Sequence, residues 1–200
     1  MIEVYCKPVY HRFLIEVVTA NKVVRRFSPN VVTFASLVSG VSVLLCLYQG
    51  RPALATLLLL LSGYLDSLDG ALARATKQSS AIGTVFDIMA DRVVESSIVL
   101  GLFCVNPAAR GLSCILMLAS MLLCITSFLV VGVFTPNQTD KSFYYSPGLM
   151  ERAEAFIFFL MMIWLPQYFT PLAILFSLLV CLTGLNRIRE FARQQNNEVE

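Results

Sequence analysis

The feature that most limits this chain is a repeated apolar run about as long as a bilayer is thick. From Pro52 the sequence reads PALATLLLLLSGY. As a helix, about 20 such residues cross the hydrocarbon core. Backbone amides find no water there and must pair within their own segment, so the run specifies a helix rather than an isolated strand. Six segments have this character: Pro29 to Gln49, Pro52 to Ala75, Ala81 to Val105, Ala108 to Phe134, Met150 to Leu165 and Tyr168 to Arg187. The fifth is short. The chain is 57% hydrophobic and 14% charged, whereas a soluble domain is about a quarter charged. The expected fold is an all-α integral membrane protein of six transmembrane helices, with an N-terminal amphipathic surface helix.

Punctuation supports these limits. Ser28-Pro29 reads as an N-cap followed by proline at the first helical position. Gly50 with Pro52, Asn106 with Pro107, and Pro166 mark turns. Basic residues set an expected orientation. With the N-terminus in the cytoplasm, twelve of the fifteen Lys and Arg fall on or near the cytoplasmic side, Arg51 and Arg110 lie opposite, and Arg92 lies inside the third segment. That bias follows the positive-inside rule and puts both termini in the cytoplasm. Residues 1–27 mix apolar and basic positions, as a helix lying on the membrane surface does. The expected organisation is this juxtamembrane helix over 1–27, a six-helix domain over 28–190 and a polar cytoplasmic tail over 191–200. No cleavable signal peptide is apparent. The net charge of +2 gives no reason to expect a nucleic-acid partner. No two of the six cysteines are spaced as CxxC, and five lie in apolar runs, so they read as small core residues rather than zinc ligands or disulfides.

Within this apolar chain stand four aspartates. Asp66 and Asp69 are three apart, Asp87 and Asp91 four apart, so each pair shares one face of a helix. The second segment runs inward and the third outward, which brings both pairs to the cytoplasmic half of the bilayer. Four carboxylates there repel, and each is costly in a membrane. Arg74, Arg92 and Lys77 offer part of the countercharge, but ion pairing explains neither the spacing nor the small residues Gly70, Ala71, Ala73 and Gly83 beside it. Oxygen-only ligands suit hard divalent cations. Two ions about 4 Å apart would balance four charges in the arrangement used for phosphoryl transfer.

The segment reads D-x2-D-G-x2-A-R-x8-G-x3-D-x3-D, from Asp66 to Asp91. In every fixed position and spacing it resembles the signature of the CDP-alcohol phosphotransferases. The resemblance extends to SPNVVT at Ser28 to Thr33 and to the six-segment layout. It implies an enzyme that moves a phosphatidyl or related group from a CDP-linked donor to a second alcohol, releasing CMP. It implies that Asp66, Asp69, Asp87 and Asp91 hold two Mg²⁺ or Mn²⁺ ions, and that Asp91 is also the base for the acceptor hydroxyl. Gly70, Arg74 and Ser80 are implied to contact the donor, with Asn30 and Thr33 completing that pocket.

The acceptor is less determined. Relatives that use inositol phosphate carry an ERxER-like stretch, whereas this chain reads MERAEAF, keeping Glu151 and Arg152 with Ala155 in the second arginine position. Lys141, Arg152 and Arg187 are the candidates for an acceptor phosphate. Glycerol 3-phosphate is the favoured acceptor; inositol, inositol phosphate and serine stay open. The expected partners are a CDP-linked lipid donor, a small polar alcohol, membrane lipids and a second copy of the chain in a homodimer. The expected location is a bacterial inner membrane. Two rivals share the carboxylates: an intramembrane prenyltransferase, which places its acidic motifs on well-separated helices, and a divalent-cation transporter, for which inverted repeats are the usual sign.

Overall fold

The computed structural model describes residues 28–134 and 149–199, with side chains through residue 195. The 1–27 surface helix and Lys141 lie outside the described residues. Among the described residues the chain is helical without strands. The helices are α1 (Pro29–Tyr48), α2 (Pro52–Thr76), α3 (Ala81–Val105), α4 (Pro107–Phe134), α5 (Arg152–Trp164) and α6 (Phe169–Val199), with a 3-10 turn at Pro166–Tyr168 before α6. Four of these segments are long and apolar enough to cross a membrane: α1, α2, α4 and the stretch Pro166–Gln195. Two differ for separate reasons. Helix α3 has the length but carries Asp87, Asp91, Arg92 and Glu95. Helix α5 has 13 residues, roughly 20 Å at about 1.5 Å each, against a core of about 30 Å. Helix α6 runs past the expected end at Arg187 to Val199; the polar residues there lack a helix breaker.

Local chemistry sets the boundaries. Pro29 opens α1, but Ser28 makes no side-chain cap; its carbonyl instead accepts from Val31 N–H at 3.0 Å. The α1–α2 turn is a Schellman closure: Gly50 at φ 67 donates to Leu47 O at 3.0 Å, and Arg51 donates to Cys46 O at 2.9 Å. Pro52 then starts α2. The α2–α3 turn repeats this closure with a lysine in the left-handed position. Lys77, at φ 55, donates to Arg74 O at 3.3 Å, and Gln78 donates to Ala73 O at 2.9 Å. Ser80 caps α3, its hydroxyl accepting from Gly83 N–H at 3.1 Å. Glu151 and Glu154 form a capping box at the start of α5.

The chain divides into two compact units, one ending at Ala109 and the other starting at Arg110. In the first, α1 packs against both α2 and α3. Its inner face is small and polar. Ser36 Oγ donates to Ser62 O at 2.9 Å, and Ser62 Oγ donates to Ser36 O at 3.0 Å, which ties α1 to α2. A Cβ on Gly40 would lie 2.6 Å from Val94, and one on Gly101 would lie 2.9 Å from the Leu44 backbone, so glycine sets the approach of α1 to α3. The outer face of α3 carries Ile82, Val85, Met89, Val93 and Leu100, all exposed. Small and polar inside with large and apolar outside is the pattern of helices packed in lipid.

In the second unit, Phe176 of α6 meets Phe158 and Phe159 of α5 at 5.8 and 5.6 Å between ring centres. Arg110 lies 4.4 Å from the centre of the Phe169 ring, a cation–π contact between α4 and α6. Cys46, Cys104, Cys114, Cys124 and Cys181 are free thiols, buried or half-buried, as their apolar settings indicate.

Candidate functional site

Asp66 and Asp69 share a face of α2, and α3 returns Asp87 beside them. One carboxylate oxygen from each of the three lies within 4.8 Å of the others. Asp69 is 4% exposed, and its Oδ2 is closed off from solvent, as is Asp87 Oδ1. Asp91, a turn beyond Asp87, falls outside this three-residue group. The donor set is entirely carboxylate oxygen drawn from two helices, and its spread is that of atoms able to share an ion. These residues fit a hard divalent cation and lack the nitrogen or sulfur that a zinc site favours.

The small residues beside the cluster serve different ends. Ala71 packs with Val32, Leu68 and Leu72 in the core of the first unit. Gly70 does not: the one side-chain atom within 4 Å of a Cβ built there is Arg74 Nη1, at 3.4 Å. The space next to Asp69 is therefore open, with the guanidinium one helical turn away on its edge. A Cβ on Gly83 would meet Ser80 Oγ at 3.1 Å and Asn30 Oδ1 at 3.5 Å. This glycine lets the start of α1 approach the start of α3, with Asn30 and Ser80 beside it. Thr33 is buried, and its hydroxyl donates to Pro29 O at 3.2 Å, tightening the first turn of α1.

Arg92, weighed and disfavoured in the sequence as a countercharge for the aspartates, pairs with Glu95, at 2.6 Å from Nη1 to Oε2 and 3.1 Å from Nη2 to Oε1. Glu95 is a buried acidic residue that the sequence reading passed over. It sits four residues after Asp91 and eight after Asp87, on the same helical stripe, and that spacing was the available signal.

Two of the acceptor candidates, Arg152 and Arg187, lie in the second unit. Arg152, at the start of α5, lies 5.4 Å from the centre of the Phe156 ring. Ala155 is buried. Arg187 Nη1 donates to Cys124 O at 3.2 Å and to Ser127 Oγ at 3.4 Å, and the guanidinium lies 5.1 Å from the centre of the Phe128 ring. One turn earlier, a Cβ on Gly184 would sit 3.4 Å from Ser127 Oγ and 3.5 Å from Cys124 Cα. Arg187 thus ties α6 to α4 one turn from the close approach at Gly184.

Comparison with known proteins gives a family match over most of the chain. The family described as CDP-alcohol phosphatidyltransferase matches residues 26–185. The chain is 29% identical over 168 residues to the inner membrane protein YnjF of Escherichia coli K12, covering 80% of this chain and 81% of that protein. It is 30% identical over 132 residues to a phosphatidylinositol phosphate synthase of Mycobacteroides abscessus, covering 66% of this chain and 59% of that protein. No solved structure matches the chain.

Proposed function

Because this chain belongs to the CDP-alcohol phosphatidyltransferase family, we propose that it transfers the phosphatidyl group of CDP-diacylglycerol to glycerol 3-phosphate and releases CMP. It is an enzyme of phospholipid synthesis and a multi-pass membrane protein. The observation that carries the proposal is the meeting of Asp66, Asp69 and Asp87 oxygens within 4.8 Å beside the open face of Gly70. In the proposed membrane arrangement all six helices are embedded in a bacterial inner membrane, with both termini cytoplasmic and the aspartates in the cytoplasmic half.

Asp66, Asp69, Asp87 and Asp91 are the proposed ligands of two Mg²⁺ or Mn²⁺ ions, which when bound would neutralise the donor's pyrophosphate and stabilise charge on the leaving CMP. The chain's own groups do the rest. Arg74 reaches the pyrophosphate, and Asn30 and Ser80 line the cytidine side, with the Ser80 hydroxyl proton left to donate. Thr33 acts by holding the first turn of α1. Asp91 takes the proton from the acceptor hydroxyl. The acceptor's hydroxyl oxygen bonds to the lipid-side phosphorus as the bond from that phosphorus to CMP breaks, and the electron pair leaves on CMP. Lys141, Arg152 and Arg187 hold the acceptor's phosphate. The donor's acyl chains stay in lipid while the polar acceptor arrives from the cytosol.

A second acceptor, inositol phosphate, is favoured by the Mycobacteroides relative, a phosphatidylinositol phosphate synthase. Ala155, where an arginine would complete a phosphate clamp, speaks against it. The test is a panel of purified enzyme, CDP-diacylglycerol and Mg²⁺ or Mn²⁺, given glycerol 3-phosphate, inositol, inositol phosphate or serine in turn, with CMP as readout. Turnover with glycerol 3-phosphate and its loss in excess EDTA are expected. Turnover with inositol phosphate alone overturns the first acceptor, and full activity after metal removal overturns the ion centre.

A further inference from the structure

Arg92 and Glu95 are ionisable residues about halfway along α3, and the transfer chemistry above uses neither. Such residues are costly in a bilayer and usually mark a functional site. Glu95 is 6% exposed. It lies on the stripe of Asp87 and Asp91, one turn deeper. Its two oxygens take both terminal nitrogens of Arg92. This holds the guanidinium at Glu95. Arg92 Nε is buried and makes no hydrogen bond, so the cation retains an unsatisfied donor. If the Glu95 charge is removed, the next carboxylate on that face is Asp91, about 6 Å up the helix axis. In a low-dielectric setting, an arginine without its own carboxylate takes another.

We propose that Glu95 is a positioning residue for the metal centre: it holds the Arg92 guanidinium and so keeps that cation from competing with divalent ions for the aspartates. The pair is a local neutral unit, which also withholds Glu95 from the ligand set. This inference rests on the reading of the aspartates as a metal centre.

The test is Mn²⁺ binding to the purified, detergent-solubilised enzyme, with free ion counted by electron paramagnetic resonance and melting followed in parallel. Glu95→Gln is expected to weaken Mn²⁺ binding about 10- to 100-fold, the scale of one charge-assisted hydrogen bond gained by an aspartate. Adding Arg92→Met to that variant is expected to restore binding to within about threefold of the parent, since swapping both members of a buried ion pair for uncharged groups is well tolerated. A purely structural role for Glu95 predicts no such rescue. Unchanged affinity in Glu95→Gln, or a folded double variant as weak as the single one, overturns the proposal. If Glu95→Gln does not fold, the contrast moves to Arg92→Met/Glu95→Gln against Arg92→Lys/Glu95→Gln, and equal affinities overturn it. Failure of the parent enzyme to bind Mn²⁺ instead overturns the metal-centre reading on which the proposal stands.

Discussion

Gly40→Ala tests how closely the site depends on the packing beneath it. A Cβ at this position would lie 2.6 Å from both Val94 Cγ1 and Cγ2, and 2.8 Å from Ser62 Oγ. Carbon atoms in contact sit about 3.5–4.0 Å apart, so relief needs roughly 1 Å of movement. Val94 cannot supply it by turning: it is 1% exposed and β-branched, with one strongly preferred rotamer in a helix. Ser62 is held by reciprocal hydrogen bonds to Ser36. The helices themselves must therefore separate. Ser62 lies one turn before Asp66, and Val94 three residues after Asp91, so the separation reaches both aspartate pairs. Overpacking of this kind costs about 1–3 kcal/mol, and a displacement of about 1 Å in a reacting geometry costs on the order of 100-fold in rate. The expected outcome is a destabilisation in that range by equilibrium unfolding in detergent, with CMP release reduced about 10- to 100-fold. Gly40→Ala/Val94→Ala removes both clashing methyls and is expected to recover most of the turnover. Stability within about 0.5 kcal/mol of the parent with full turnover would refute the reasoning, as would a double variant whose effects simply add.

Asp91→Asn is expected to abolish CMP release while CDP-diacylglycerol still binds, because Asp66, Asp69 and Asp87 form their group without it; near-normal turnover would remove Asp91 from the role of base. Arg152→Ala is expected to raise the apparent KM for glycerol 3-phosphate about 10- to 100-fold, with the KM for the CDP donor unmoved in the same assay. Arg187→Ala removes the hydrogen bonds to Cys124 O and Ser127 Oγ and is expected to lower stability by about 1.5–3 kcal/mol, read as a lower melting point that Arg152→Ala does not share.

The sequence by itself determined the helices and the aspartates. Runs of apolar residues in a membrane permit little besides a helix, so α3 begins at Ala81 and ends at Val105 as expected, and Gly50 and Pro52 place the first turn. The three- and four-residue spacings put each aspartate pair on one face, because helical period is a local property. The tertiary structure decided what those faces meet. Three aspartates converge and Asp91 falls outside their group; that depends on how α2 and α3 approach each other, which Gly40, Ser36, Ser62 and Val94 on three helices fix together. Gly70 and Ala71 look alike in sequence, yet one faces open space and the other the core, since about 100° of helical rotation separates them. Arg92 showed the same limit: the sequence set it near Asp87, Asp91 and Glu95 on its own helix, and only the side-chain geometry chose Glu95. Charge pairing is decided by distances of a few ångströms, and periodicity alone does not carry them.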